Sequence, residues 1–145
     1  MALTYKLLVL AVAAQVLLTL LILVRLGMER VPRVVRGEVD AAQVAVDRSG
    51  WHPRAQLLSN SFDSHFQLPV LFFVAVLVCL QTGLAGWLEV ILACAFVATR
   101  CAHAYLHTTT NPLYPRFAVF CAGLAILAVF WLWLVIRLVI LTPSI

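Results

Sequence analysis

The chain has 145 residues, of which 64% are hydrophobic and only 11% are charged. A soluble domain carries roughly a quarter charged residues, so this composition excludes a water-soluble globular protein and predicts a membrane protein. The formal net charge is +4, but the basic residues flank apolar runs without an aromatic-interleaved stripe, which argues against nucleic acid as a partner.

Four apolar runs are long enough to cross a bilayer, which takes about 20 residues of helix. They are predicted at about residues 5–26, 66–84, 86–106 and 117–141. The first run is longer than the apolar core of a signal peptide and is interpreted as a retained helix. The sequence therefore predicts an all-α membrane protein, with residues 1–145 forming one four-transmembrane-helix bundle and a long polar loop at about 28–65.

The segments between the spans predict how the helices are joined. Gly83 and Gly86 lie between the second and third spans and favour a tight reversal, so these two helices should form an antiparallel hairpin. Asn111 and Pro112 predict a turn between the third and fourth spans. Pro53 fits the first turn of a helix that runs on into the second span.

The basic residues predict the orientation of the bundle. Seven arginines lie on the side of the long loop and of the turn between the third and fourth spans, and only Lys6 and Arg137 lie on the other side. The seven are Arg25, Arg30, Arg33, Arg36, Arg48, Arg54 and Arg116. The positive-inside rule then places the long loop and this turn in the cytoplasm and both termini outside. The absence of a transit-type segment, together with the short arginine-rich loops, suits a bacterial inner membrane.

Polar residues inside the third span are the first candidates for function, because polar groups are costly in a membrane. Arg100, His103 and His107 share one helical face near its cytoplasmic end. They either line a ligand pocket, or Arg100 extends to the interface and the histidines lie among the headgroups. The two histidines lack a third partner for a metal, so no metal site is predicted; a haem protein using both histidines remains an alternative.

The second span begins with a similar polar stripe, formed by Asn60, Asp63, Ser64 and Gln67. In an antiparallel hairpin this stripe lies at the same membrane face as the end of the third span. It is either a solvated helix entrance or part of the same pocket.

Arg116 opens the fourth span at that face. It is either a topological anchor or a fixed cation that favours a thiolate over a thiol, and the thiolate is the form that attacks electrophiles. The combined set suits a carboxylate-rich peptide, because arginine forks bind carboxylates at two points. Its members are Arg54, Asn60, Gln67, Arg100, His103, His107 and Arg116.

These residues resemble those of the MAPEG family, the membrane-associated proteins in eicosanoid and glutathione metabolism. Two motifs carry the resemblance, which covers essentially the whole chain. The first, at the entrance of the second span, is Arg54-Ala55-Gln56, then Asn60, then Phe66-Gln67-Leu68-Pro69-Val70-Leu71-Phe72. The second, across the third and fourth spans, is Arg100, His103 and His107, then Asn111 and Arg116, then Phe120 and Gly123.

The resemblance implies a homotrimer that binds glutathione as co-substrate between neighbouring subunits, near the cytoplasmic face. Members conjugate glutathione to lipophilic electrophiles or reduce lipid hydroperoxides. Arg116 matches the arginine that stabilises the thiolate, and glutathione-binding positions are matched by Arg54, Asn60, Arg100 and His103.

Two positions depart from the family pattern. Gln67 stands where the family has a glutamate, and His107 stands where a tyrosine is common. Both are included in the predicted glutathione site. The alternative is a non-catalytic MAPEG-like protein that binds membrane lipid or a protein partner.

Overall fold

The computed structural model describes residues 2–141, and all of the regular secondary structure in that range is helical. Four of its helical segments are long and apolar enough to cross a membrane. In chain order the α-helices are α1 (Leu3–Val35), α2 (Ala41–Val46), α3 (Pro53–Ser64), α4 (Leu68–Gln81), α5 (Trp87–Thr108) and α6 (Leu113–Ile136). The predicted four-helix membrane architecture is therefore confirmed.

The first helix is longer than the sequence predicted, because α1 continues past residue 26 to Val35. Its last turns are polar, and Arg33 pairs with Glu29 one turn earlier at 2.5 Å, a spacing that stabilises helices. Gly37 has a φ of +68° just beyond the helix, a conformation that favours glycine and ends the helix. Much of the predicted polar loop is thus helical.

The second span is two helices rather than one. Pro53 occupies the first turn of α3 as expected, but the helix ends at Ser64 and α4 begins at Leu68. Pro69 has no N–H to donate to the helical hydrogen bonds of the preceding turn. Gln67, just before the new helix, has φ −102° and ψ −98°, which are not helical values. The guanidinium of Arg100 donates to the Ser64 carbonyl at 3.1 Å and so satisfies one group at this break.

The two predicted turns are confirmed. Gly83 has a φ of +73° between α4 and α5, and the stacked rings of Phe72 and Phe96, 4.8 Å apart, pack these helices into an antiparallel hairpin. Asn111 has a φ of +48° between α5 and α6, a conformation that asparagine tolerates better than most residues.

A buried charged pair closes the end of the bundle opposite the arginine-rich loop. Glu89 is 1% exposed and accepts hydrogen bonds from Trp133 at 2.9 Å, from the Gly86 N–H at 3.1 Å and from Arg137 at 2.5 Å. Arg137 also donates to the Leu84 carbonyl at 3.0 Å. The α4–α5 turn is thereby tied to the end of α6, which gives these two charges a structural role.

Candidate functional site

Buried polar side chains collect at the end of the bundle that carries the arginine-rich loop. They come from α1, from the end of α3 and from α5, and each is at most 7% exposed. We call them the polar cluster: Gln15, Ser61, His65, Arg100, His103 and His107. Arg100 lies about 20 Å along α5 from Trp87, at the usual rise of roughly 1.5 Å per residue, and the cluster extends from there to His107 in the last turn of α5.

Arg100 is the most deeply buried charge of the cluster, with 1% of its surface exposed. It does not extend to the interface but donates to the Ser64 carbonyl at 3.1 Å and to the Ser64 hydroxyl at 3.0 Å. Its Nε has no hydrogen-bond partner, and no carboxylate pairs with it among residues 2–141. Since an uncompensated buried cation is costly, this guanidinium is suited to an anion.

The charge of Arg100 acts on three imidazoles, those of His65, His103 and His107. His65 Nδ1 lies 3.0 Å from the Gln15 amide nitrogen and 3.2 Å from the Thr19 hydroxyl, which links α1 to the end of α3. His103 and His107 are neighbours on α5, with ring centroids 5.7 Å apart and planes perpendicular.

Within the part of the chain that the structure describes, one nitrogen of each imidazole lacks a hydrogen-bond partner: His65 Nε2, His103 Nδ1 and His107 Nδ1. Buried polar atoms are normally hydrogen-bonded. The chemistry of these nitrogens therefore suits a polar ligand.

Arg116 lies at the start of α6, beside this group. Its guanidinium donates to the side-chain oxygen of Asn111, which holds it against the α5–α6 turn. The His103 ring lies 5.9 Å from Phe120, one turn further along α6, and the Arg116 charge acts on both His103 and His107. The site therefore combines two arginines with two histidines of the predicted set.

The other predicted site residues lie apart from this group. Arg54 is on the surface, where its Nε approaches Glu29 at 3.9 Å. Asn60 and Gln67 are exposed. The predicted stripe assumed one continuous helix. In the structure Ser61 is buried and Ser64 contacts Arg100, whereas Asn60 faces outwards. Gln67 lies in the break after α3. A single chain therefore assembles Arg100, His103, His107 and Arg116 and leaves these three residues outside.

Sequence reasoning did not select three residues that contact one another in this region, namely Gln15, Thr19 and His65. Gln15 and Thr19 are spaced i, i+4 in an otherwise apolar run, which puts both on one face of α1. That spacing was a usable signal for a polar contact inside the bundle.

No group of three or more histidine, cysteine, aspartate or glutamate side chains among the described residues is arranged to hold a metal ion. All four cysteines are free; Cys79 is buried, and Cys94, Cys101 and Cys121 are exposed.

Comparison with known proteins gives one match. The sequence model of the MAPEG family matches residues 8–136, which is most of the chain. Neither a curated protein nor a solved structure matches this chain.

Proposed function

The chain belongs to the MAPEG family, and we propose that it is a membrane-bound glutathione transferase or peroxidase acting on lipophilic electrophiles or lipid hydroperoxides. The observation that carries the proposal is the group formed by Arg100, His103, His107 and Arg116 at one end of the bundle. Arg100 and His103 match positions that the family resemblance assigns to glutathione binding, and Arg116 matches the position assigned to the thiolate. His107 stands where the family commonly has a tyrosine.

The charge of this group favours a tripeptide with two carboxylates. The nearest acidic side chain along α3, Asp63, is already bound to Arg48 at 2.6 Å and does not neutralise Arg100 or Arg116. Arg116 is half-buried, so solvent screens the charge of its guanidinium only in part, and the group remains accessible to a ligand from the cytoplasm. Arg100 is held by Ser64 and provides positive charge from within the bundle.

Arg116 is the residue we assign to activation of the thiol. A guanidinium beside sulfur favours the thiolate, whose proton passes to solvent. In transfer the thiolate forms a carbon–sulfur bond to the electrophile while the leaving group departs. In peroxide reduction the thiolate attacks the terminal oxygen and the O–O bond breaks, which gives a sulfenic acid and an alkoxide that takes a proton from solvent to become the alcohol. A second glutathione then reacts with the sulfenic acid to yield the disulfide and water.

We further propose a homotrimer in which neighbouring copies complete the site. Asn60 and Gln67 are polar, exposed and close to or within the second span, although side chains of this kind avoid lipid. Arg54 is exposed at the same end of the molecule. A neighbouring chain packed against this face would cover the three residues and allow them to bind the same glutathione molecule.

The test is ultraviolet titration of the glutathione thiolate on the purified protein. We expect a thiolate signal that saturates with glutathione and is lost in Arg116→Ala, while that variant still binds glutathione. Turnover with a lipophilic electrophile should fall by roughly a hundredfold or more, more than affinity does. Glutathione bound entirely as the thiol by the unaltered protein would refute the assignment of Arg116.

One observation favours a second candidate, a non-catalytic protein that binds membrane lipid or a protein partner. Arg54, Asn60 and Gln67 lie outside the buried cluster within one chain, so the complete glutathione set depends on assembly. A purified trimer that retains a defined lipid but ignores millimolar glutathione would establish this candidate instead.

A further inference from the structure

A groove runs along the membrane-facing side of the bundle between α1 and α5. It has a volume of about 330 Å³ and is mostly apolar. Residues from α1 and α5 line it, among them Leu18, Leu21, Ile22, Val24, Cys101 and Ala104. Leu21 and Val24 are exposed, so the groove opens towards lipid rather than into the core.

The groove becomes polar at its end nearest the arginine-rich loop. A second cavity of about 230 Å³ shares Arg25 and Thr108 with the groove and is also lined by Glu29 and Arg54. Glu29 already pairs with Arg33 at 2.5 Å. Arg25 is exposed and forms no ion pair within residues 2–141, so this end of the groove carries unbalanced positive charge.

The position of Arg25 along α1 matches the depth of a phospholipid headgroup. Arg25 lies about 33 Å from Leu3 along the helix, at roughly 1.5 Å per residue, and the hydrocarbon core of a bilayer is about 30 Å thick. Residues 18–24 then lie at the depth of the acyl chains of the adjacent leaflet. Tyr105, which also lines the groove, is 68% exposed and suits the interfacial region.

From this arrangement we propose that the groove binds an anionic phospholipid of the leaflet at the arginine-rich end, with its phosphate on Arg25 and one acyl chain between α1 and α5. Charge and depth together select this ligand. An arginine acting only as a topological anchor needs no groove beneath it. The ligand differs from glutathione, and the groove itself contains none of the residues assigned to glutathione, although Arg54 of that set lines the adjoining cavity. The inference does not depend on the glutathione reaction.

The test measures thermal unfolding in mixed micelles as phosphatidylglycerol is added, with phosphatidylcholine of the same acyl chains as the neutral comparison. We expect a saturable rise in unfolding temperature with phosphatidylglycerol and a much smaller one with phosphatidylcholine. Arg25→Gln should raise the apparent dissociation constant for phosphatidylglycerol about tenfold, as for loss of one charge-assisted contact.

Two further variants separate a specific site from general charge. Arg36→Gln removes the same charge from an exposed arginine near the same end, where Arg36 pairs with Glu38 at 3.4 Å, and should leave phosphatidylglycerol binding unchanged. Cys101→Phe fills the groove from an exposed position without altering charge and should weaken binding as Arg25→Gln does.

Three results would overturn the proposal. They are equal stabilisation by both lipids, equal losses in Arg25→Gln and Arg36→Gln, and stabilisation by oleate without any by phosphatidylglycerol.

Discussion

Replacing Arg137 by glutamine should destabilise the bundle strongly. The substitution removes the 2.5 Å contact to Glu89 and the 3.0 Å hydrogen bond to the Leu84 carbonyl. Glu89, only 1% exposed, keeps the Trp133 and Gly86 N–H donors but loses its countercharge. The free energy cost therefore includes the desolvation of an unpaired carboxylate as well as the lost contact.

The expected magnitude is about 3 kcal/mol. Removing one partner of a buried ion pair costs about 3–5 kcal/mol. The Arg137 side chain is 28% exposed, so solvent already screens part of the interaction and the lower end of that range applies. The double variant Glu89→Gln/Arg137→Gln removes both charges and should be more stable than Arg137→Gln alone by at least about 1 kcal/mol.

The assay is reversible unfolding in mixed micelles of dodecyl sulfate and a mild detergent, followed by tryptophan fluorescence. Arg36→Gln is the control, because its partner Glu38 lies at 3.4 Å and both side chains are largely exposed. That variant should change the free energy of unfolding by less than about 1 kcal/mol. A similarly small effect of Arg137→Gln, or a double variant less stable than the single one, would refute the structural role of the buried pair.

Two more predictions concern the α4–α5 turn and the glutathione site. Gly83→Ala should lower the free energy of unfolding by about 1–2 kcal/mol in the same assay, because the φ of Gly83 is +73°. Gly27→Ala should not lower it, because Gly27 lies inside α1 and no atom lies within 4 Å of an added Cβ. Equal effects of the two substitutions would contradict the argument from the Gly83 backbone. Gln67→Glu should lower the dissociation constant for glutathione about two- to fivefold in a calorimetric titration, because it restores a carboxylate for the ligand's ammonium. Gln81→Glu, at the opposite end of the bundle, should leave that constant unchanged. Unchanged affinity in Gln67→Glu would remove Gln67 from the site.

The topology could be predicted from the sequence because it follows from strong local signals. Long apolar runs identify membrane-crossing helices, since backbone polar groups in lipid must be satisfied within the helix. Gly83 and Asn111 marked the two turns because few other residues adopt a positive φ. The face shared by Arg100, His103 and His107 followed from helical spacing alone, and all three residues are buried together.

The site could be predicted only in part, because two of its features depend on tertiary structure. The break between Ser64 and Leu68 changes the direction of Gln67 relative to Ser64. The sequence becomes more apolar from α3 to α4, but that change does not reveal an interruption of the helix. The contact of His65 with Gln15 joins positions far apart in the chain. No local pattern specifies which helix face will receive a particular histidine.

The central claim is that glutathione binds the arginine–histidine group at the arginine-rich end of the bundle. Its most direct test is thermal unfolding of the purified protein across a glutathione titration. A ligand that binds only the folded state adds about 2.7 kcal/mol of stability at a hundredfold excess over its dissociation constant. The account predicts a saturable rise in unfolding temperature that Arg100→Ala and Arg54→Ala weaken and Arg36→Ala leaves intact. No shift at high millimolar glutathione would contradict the claim, although the family and fold would stand.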